Sequence, residues 1–306
     1  MTGEDTNPSI GTTYDRVLNA GSDCILYHYC STATFLSIVQ TEKLRFSDVN
    51  MMNDVNEWGY GYGLFESAAN ALLELVPQKP ALEGLDRTFL DSVDDYLSPK
   101  QLKSHPVIAC FSKEPDVLSQ WRGYADDSKG WSIGFDAQAI AAMPVTLLDV
   151  LYEPNQQIIE VRNFLAAMYI VWQEKAGEFA DAVGKDAALL SSYLLAYKHP
   201  SFREEKEVRA LHELRVDIAE DGWELVDEGG TADGNEIDGE LVQFRAVGNA
   251  VTAYVDIPLQ RPNDRVIKEL WYGPSNCNGP GNALYPLTQY GHRSVKLHWS
   301  ASSYRV

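Results

Sequence analysis

The stretch SQWRGYADDSKG, residues 119–130, carries the densest group of chemically capable side chains in this sequence. Trp121, Arg122 and Tyr124 combine an aromatic platform, a bidentate donor to anions and a phenol. A site for a nucleotide, or for another flat and charged ligand, needs this combination. The alternative is a short helix in which Trp121 anchors the core and Arg122 pairs with a following aspartate.

A second group lies in FREEKEVRAL, residues 202–211, where Glu205, Glu207 and Arg209 alternate along the chain. If this segment is a strand, the three side chains share one face. Charged side chains on an internal strand are costly unless they pair or line a cleft. A cleft carboxylate there would act as a general base or stabilise a cationic transition state. An exposed edge strand is the alternative.

His28 lies in CILYHY, residues 24–29, whose aromatic and branched residues predict a strand. Alternation places His28 on the face opposite Tyr27 and Tyr29. A strand histidine is either a satisfied core group or a ligand-binding group, and the sequence leaves both readings open. Ser112 ends the predicted strand VIACFS, where it either bonds the following turn or faces a ligand.

A third polar group interrupts the segment VNMMNDVNEWGYGYG, residues 49–63. Asn53, Asp54 and Glu57 punctuate apolar Met and Trp residues there, which predicts a loop that folds back over a cavity into the next helix. These side chains would then contact a substrate. Alternatively they cap the first turn of that helix and require no ligand.

These groups need a scaffold, and the hydrophobic pattern predicts strands with helices between them. Predicted strands occupy 24–29, 44–47, 107–112, 131–136, 145–153, 206–214, 250–259, 266–274 and 294–300. Predicted helices occupy 32–43, 65–76, 85–97, 155–197 and 283–290. The fourth helical stretch is expected to break at Gly184 and Lys185, and the acidic, glycine-rich segment 227–240 to be an exposed loop between hairpin strands.

This arrangement favours an α+β fold with a mixed sheet flanked by helices over a regular βαβ series. Residues 1–20 are expected to form a flexible arm, and 21–306 a single domain with a helical insertion at about 155–197. The chain has 306 residues, of which 45% are hydrophobic, so it can bury a sizeable core.

Composition also limits the function. The formal net charge of -19 argues against broad electrostatic capture of nucleic acid or of an anionic membrane. The four cysteines are scattered, without paired C-x-x-C spacing, so no metal is expected. The N-terminus is acidic where an export signal is basic, and no apolar run approaches the roughly 20 residues of a membrane helix. The expected location is the cytoplasm.

Several of these stretches, taken in order, resemble the bacterial domain of unknown function 2971 family. The resemblance covers residues 24–305 and rests on LYHYCS, LRFSDVNMMNDVNEW, CFSKEPDVLSQWRGYADDSKGWSIGFD, KHPSFREEKEVRAL, IKELWYGPS and SSYR. It implies a single bacterial domain with a suspected role in phage or stress conflict. A histidine on the opening strand and a glutamate on a late strand are similar, more loosely, to ADP-ribosyltransferase-like proteins. That similarity implies a mixed, mainly antiparallel, split β-sheet.

The looser similarity also implies roles for individual residues, with NAD as the substrate. His28 would hold a ribose, and Trp121 or Tyr124 would stack on nicotinamide. Glu207 would bond the ribose hydroxyl while the glycosidic bond ionises, with Glu205 as the fallback. No metal is required by this chemistry.

The remaining predicted binding residues surround these groups. Arg122 would hold the pyrophosphate, and Tyr29, Ser112 and Arg209 would complete the nucleotide-binding site. The expected function is an NAD-dependent ADP-ribosyltransferase or NAD hydrolase that acts as a toxin or phage-defence effector. Its partners would be a protein or nucleic-acid acceptor and an antitoxin or inhibitor protein. The alternatives are a nuclease or other nucleic-acid effector, with or without a divalent metal, and a non-enzymatic nucleotide-sensing module.

Overall fold

The computed structural model describes residues 24–49, 57–97, 105–174, 179–232, 234–260 and 266–304. Its strands are β1 Ile25–Cys30, β2 Lys43–Asp48, β3 His105–Ser112, β4 Trp131–Asp136, β5 Thr146–Asp149, β6 Glu207–Ala219, β7 Gly222–Val226, β8 Gly230–Ala232, β9 Asn235–Ile237, β10 Gln243–Val247, β11 Ala250–Pro258, β12 Ile267–Tyr272 and β13 Lys296–Trp299. Its α-helices are α1 Thr32–Thr41, α2 Glu57–Leu75, α3 Arg87–Leu97, α4 Leu118–Tyr124, α5 Ala137–Ala141, α6 Pro154–Glu174, α7 Phe179–Leu194 and α8 Pro280–Gln289.

The chain divides into two compact units. Within the described residues, the helical unit comprises 57–97, 151–174 and 179–200, and the sheet unit comprises 24–49, 105–150, 201–232, 234–260 and 266–304. The predicted helical insertion thus lies in a unit that also contains α2 and α3 from earlier in the chain.

The helical unit has a core of its own. In α3 the buried residues Phe89, Leu90, Val93 and Leu97 recur at helical spacing, so one face of the helix is apolar. The expected break at Gly184 is wrong, because α7 continues through it. A Cβ at that position would lie 3.0 Å from the ring of Tyr96. The glycine therefore serves close packing of α7 against α3 and does not end a helix.

The sheet unit is built on a large, mostly antiparallel open sheet flanked by helices. Its main strand order is β10-β11-β2-β3-β1-β4-β12-β13, and β6 pairs with β3, β5 and β7. The β12–β13 pair is parallel, so the sheet is mixed. The predicted α+β class with a mixed, mainly antiparallel sheet is confirmed.

The sheet forks at β3. One edge of β3 pairs with β6 along its whole length. A strand has two edges, so β1 and β2 must share the other one. β1 pairs there at Tyr27↔Ser112, toward the C-terminal end of β3, and β2 pairs at Ser47↔Ile108, nearer its N-terminal end. Between these two pairings β1 and β2 diverge, and each carries its own part of the sheet.

One face of this sheet forms the main hydrophobic core. Leu26, Phe46, Phe135, Val255 and Leu270 come from five different strands and are at most 1% exposed. Full burial of each such side chain contributes about 1.5–3 kcal/mol relative to leaving it in water. The divergent strands β1 and β2 are thereby held against a common core, which fixes the fork.

A buried ion pair crosses the same unit. The His212 ring donates from Nδ1 to the carbonyl of Pro144 at 2.8 Å, and its Nε2 lies 2.8 Å from a carboxylate oxygen of Asp227. Burial lowers the pKa of His212, but the bonds to Asp227 and Pro144 outweigh burial and leave that pKa raised. Burial acts against the charge of Asp227 as well, yet bonds to His212 and to two backbone amides lower its pKa. Both groups are therefore stabilised in their charged forms.

Candidate ligand-binding cavity in the fork of the sheet

A cavity of about 510 Å³ occupies the fork, within the sheet unit. This volume lies in the range of small-molecule sites, roughly 300–1,000 Å³. Its lining comes from β1, α1, β2, β3, α4, the turn before β6, β6, β10 and β11: His28, Tyr29, Ala33, Thr34, Ser37, Ile38, Thr41, Lys43, Arg45, Ser47, Ile108, Ala109, Cys110, Phe111, Gln120, Tyr124, Glu205, Glu207, Arg245, Val247 and Asp256.

The cavity meets the edge of β3 rather than one face of it. The four consecutive residues from Ile108 to Phe111 all line it, and so do the neighbours His28 and Tyr29 in β1. Successive residues of a strand point to opposite faces, so a cavity on one face would contact only every second residue. The space is therefore the gap left where β1 and β2 part.

His28 bridges this gap. Its Nδ1 lies 2.9 Å from the carbonyl oxygen of Cys110 in β3. A carbonyl only accepts, so Nδ1 carries the proton and Nε2 of the neutral ring is an acceptor. Burial lowers the pKa of His28, although the bond to Cys110 acts in the opposite direction. At neutral pH the ring is thus uncharged and can accept a hydrogen bond from a ligand hydroxyl.

Glu207 is held by Arg209, two residues along the same strand. Nε of Arg209 donates to one carboxylate oxygen at 2.9 Å, and Nη2 donates to the other at 3.1 Å. Glu207 is 6% exposed and Arg209 is 1% exposed. Glu207 lines the cavity, whereas Arg209 is absent from its lining. The guanidinium fixes the orientation of the carboxylate and stabilises its charge.

Glu205 also lines the cavity, but the prediction that it alternates with Glu207 on a strand is wrong. It ends the 3₁₀ turn Pro200–Glu205, and β6 begins two residues later. Lys206 between them has a φ of 43°, in the left-handed region, which turns the chain there. The backbone carbonyl of Glu205 accepts a hydrogen bond from the Ser112 hydroxyl at 2.7 Å.

Ser112 is buried and bonds the turn. Besides donating to Glu205, its hydroxyl oxygen accepts from the backbone amide of Glu114 at 3.0 Å. It is not part of the cavity lining. Of the two readings left open by the sequence, the structure shows the turn-binding one, and Ser112 positions Glu205 through the backbone.

Three cations of β2 and β10 line the opposite side. Lys43 lies 2.7 Å from Glu240, and Arg45 donates twice to Asp256, each time at 2.8 Å. Arg245 donates to the hydroxyl of Ser47 at 3.1 Å. The sequence reasoning missed all three. The signal for Lys43 and Arg45 was their alternation with Ser47 in β2, which a polar strand face would produce.

Helix α1 closes the cavity between β1 and β2. Thr34, Ser37, Ile38 and Thr41 line it at the i, i+3, i+4, i+7 spacing of one helix face. Ser31 caps the helix by accepting from the Thr34 amide at 3.2 Å. This face offers hydroxyl groups to the cavity. It was not identified as part of a site, although its mixed polar spacing was visible in the sequence.

The stretch 119–130 divides between the cavity and the core. Tyr124 of α4 is half-buried and lines the cavity, together with Gln120. Trp121 is 0% exposed, donates from Nε1 to Asp116 at 2.7 Å and packs edge-on against Tyr29, so no ring face is open to a ligand. Arg122 is exposed, outside the lining, and lies 5.4 Å from the ring centre of Tyr304.

Tyr29 contributes to the lining while its hydroxyl serves the loop after β3. That hydroxyl donates to the carbonyl of Glu114 and accepts from the amide of Val117, both at 2.9 Å. Burial raises the pKa of Tyr29, which therefore stays a neutral phenol.

The third predicted group comprises Asn53, Asp54 and Glu57. Asn53 and Asp54 lie outside the described residues. Glu57 is the first residue of α2, in the helical unit, and the structure describes its backbone only.

The residues that the structure describes contain no group of three or more His, Cys, Asp or Glu side chains placed to hold a metal ion. Within the same described ranges, no helix is long and apolar enough to cross a membrane.

Comparison with known protein families finds a match to part of the chain. Residues 120–210 match the model of a family described as a protein of unknown function, DUF2971. The matched stretch contains Tyr124, Glu205 and Glu207, and it supports the predicted resemblance over that part of the chain. No curated protein and no solved structure matches the chain.

Proposed function

We propose that the protein is an NAD-dependent ADP-ribosyltransferase or NAD hydrolase of the effector type, with its active site in the fork of the sheet. The observation that carries this proposal is the fork itself. It brings His28 and the two carboxylates of Glu205 and Glu207 to one cavity, although they lie far apart in the sequence. A sheet that splits around such a cavity is also what an ADP-ribosyltransferase-like fold would have.

The chemistry requires a cation to be stabilised. When the bond between nicotinamide and ribose breaks, both electrons leave with nicotinamide and the ribose carbon becomes an oxocarbenium ion. A carboxylate fixed beside that ring lowers the barrier electrostatically. The acceptor, or water, then bonds to the same carbon and loses its proton to a carboxylate acting as base.

Four lining residues have roles in this proposal. The neutral ring of His28 accepts a hydrogen bond from a ribose hydroxyl through Nε2. Glu207 faces the developing cation, and Glu205 takes the proton from the nucleophile. Tyr124 offers an aromatic surface for the nicotinamide ring, in place of the fully buried Trp121.

Release of nicotinamide from NAD by the purified chain tests the proposal directly. Glu207→Gln and Glu205→Gln each remove a charge, and His28→Ala removes the ribose contact. We expect Glu207→Gln to slow nicotinamide release by about 100-fold or more, the usual loss when an electrostatic stabiliser is removed. Glu213→Gln is the matched control, because Glu213 is exposed on the same strand and outside the cavity lining.

The proposal fails if the wild-type chain binds NAD without turning it over, alone or with a cell extract as the source of acceptor. It also fails if the three cavity variants retain wild-type turnover. Loss of turnover in a variant counts only where circular dichroism shows that the variant is folded.

A second candidate function has one observation in its favour. The charge of Glu207 is already matched by Arg209 through two hydrogen bonds, an arrangement that stabilises a resting carboxylate. A cavity of this kind suits a nucleotide-sensing module that binds without reaction. Tight NAD or ADP-ribose binding with no release of nicotinamide would identify the protein as that module.

A further inference from the structure

The charges of the cavity lining are distributed unevenly. Its cations are Lys43, Arg45 and Arg245. Lys43 is matched by Glu240 and Arg45 by Asp256. Arg245, by contrast, has no carboxylate within ion-pair distance in the described part of the chain. Arg245 is thus a lining cation whose charge no carboxylate of the described residues matches.

Arg245 and Arg45 lie near the same aromatic ring. Arg45 sits 3.9 Å and Arg245 sits 5.9 Å from the ring centre of the same residue, Tyr254. Asp256 compensates the charge of Arg45 only, by two hydrogen bonds. Two guanidinium groups therefore lie near one aromatic ring, and only one carboxylate, that of Asp256, offsets their charge. An anion bound here would remove the remaining imbalance.

The position of Arg245 relative to His28 follows from the register of β3. Arg245 donates to Ser47, which pairs with Ile108, whereas His28 bonds the carbonyl of Cys110. Two residues along a strand correspond to roughly 7 Å. This is the separation along β3 alone. Arg245 extends from β10, with β11 and β2 between it and β3, so its guanidinium and His28 meet the cavity from different strands.

We infer that Arg245, supported by the Ser47 hydroxyl, is the binding site for the diphosphate of a nucleotide ligand in this cavity. The inference rests on the proposed function for the orientation of the ligand, since His28 and Glu207 take the ribose to be cleaved. It replaces Arg122 in the predicted role, because Arg122 lies outside the lining. Guanidinium suits the task because its fork of donors matches two phosphate oxygens.

Isothermal titration of the full chain with ADP, AMP, adenosine and inorganic pyrophosphate tests this assignment. We expect ADP and pyrophosphate to bind to the wild type, and ADP to bind more tightly than AMP or adenosine. Arg245→Gln should weaken ADP and pyrophosphate by about ten- to a hundredfold, the usual effect of losing a hydrogen-bonded charge, and leave adenosine unchanged. Arg245→Lys keeps the positive charge but loses the paired donors of the guanidinium. Its affinities for ADP and pyrophosphate should lie between those of the wild type and those of Arg245→Gln.

Two further variants serve as comparisons. Arg293→Gln removes an exposed arginine outside the lining and should leave every affinity unchanged. Arg122→Gln tests the earlier prediction that Arg122 holds the diphosphate. If Arg245 holds it instead, this variant should bind ADP and pyrophosphate with wild-type affinity. Arg245 is exposed, so its variants should unfold at the wild-type temperature, and a ligand-free melting curve checks that they do.

The outcomes separate this inference from the proposed function. The assignment is overturned if Arg245→Gln binds pyrophosphate and ADP with wild-type affinity. It is also overturned if Arg122→Gln loses this affinity instead. Neither result contradicts the proposed turnover of NAD. No binding of ADP or pyrophosphate to the wild type overturns the assignment as well. Arg245-dependent ADP binding without nicotinamide release would retain the diphosphate site and refute the catalytic proposal.

Discussion

Replacing Arg209 with methionine should cost the protein about 3–5 kcal/mol of stability, because a buried carboxylate would lose its counter-ion. Arg209 is 1% exposed and Glu207 is 6% exposed, so water can replace the lost interaction only on the side of Glu207 that lines the cavity. The two hydrogen bonds of 2.9 and 3.1 Å would both disappear. Methionine keeps a long apolar side chain, which limits the contribution of an empty volume.

The double variant Glu207→Leu with Arg209→Met separates charge from packing. It removes both ions at once, and replacement of a whole buried pair by apolar residues is often neutral. We expect it to be more stable than Arg209→Met alone. A double-mutant cycle then gives the coupling between the two side chains.

Urea and thermal unfolding provide the assay. For a unit of 150–250 residues, about 3–5 kcal/mol corresponds to a fall in the melting midpoint of about 6–20 °C. Arg215→Met is the matched control on the same strand, because its side chain is 45% exposed and its ion pairs should contribute under about 1 kcal/mol. A cost below about 1 kcal/mol for Arg209→Met, or a double variant as unstable as the sum of the singles, would refute the buried pair.

Three other perturbations have defined outcomes. Because the pKa of His212 is raised, its pair with Asp227 stabilises the fold fully below about pH 6.5, and this stabilisation is lost as the pH rises through the folded-state pKa. The urea midpoint of the wild type should therefore fall over that pH range, and the midpoint of His212→Gln should not. Since the pKa of Asp227 is lowered, stability should also fall as acid titrates it, in a window below its ordinary value of 3.8. Gly130→Ala would place a Cβ 2.2 Å from a backbone carbonyl and should strongly lower the melting midpoint, whereas Gly123→Ala meets nothing within 4 Å and should raise it slightly. Tyr29→Phe removes two hydrogen bonds from the loop after β3 and should cost about 1–3 kcal/mol in urea unfolding, and an unchanged midpoint would show that the loop does not depend on them.

The elements of the sheet unit were largely predictable because their signals are local. The aromatic and branched residues of β1, the capped helix after it and the buried run of β3 all lie where the patterns indicated. Edge strands were harder. β7 and β10 carry exposed apolar residues, Trp223 at 63% and Phe244 at 61%, so neither shows the in-and-out alternation of a half-buried strand.

Local sequence patterns could not specify the fork. It depends on which part of β3 each neighbour pairs with, and that register joins Tyr27 to Ser112 and Ser47 to Ile108 across long stretches of chain. No local propensity specifies such pairings. For the same reason Arg245 was missed, because its relation to Ser47 exists only once β10 has joined the far side of β2 through β11.

The positions of Trp121 and Tyr124 differ in burial, and this difference cannot be predicted from the residue types. Trp121 and Tyr124 are three positions apart in one short helix, and either could have been the platform. The helix turns one toward the core and the other toward the cavity. Which one faces inward depends on the angle at which α4 meets β1, where Trp121 packs against Tyr29. That angle is a tertiary property.

Charged side chains of opposite sign lie at the two ends of the cavity, and their distribution should select the orientation of a bound ligand. Near the Ser112 end of β3 lie the carboxylates of Glu205 and Glu207, of which Glu207 is paired with Arg209, while near Ile108 lies the guanidinium of Arg245. A molecule with positive charge at one end and phosphate at the other fits this distribution in one orientation and meets like charges in the reverse one. Oxidised NAD has that polarity, because its nicotinamide ring is cationic and its diphosphate anionic. Reduced NADH lacks the ring charge, so it should bind less tightly than NAD to the wild type, and the difference should shrink in Glu205→Gln.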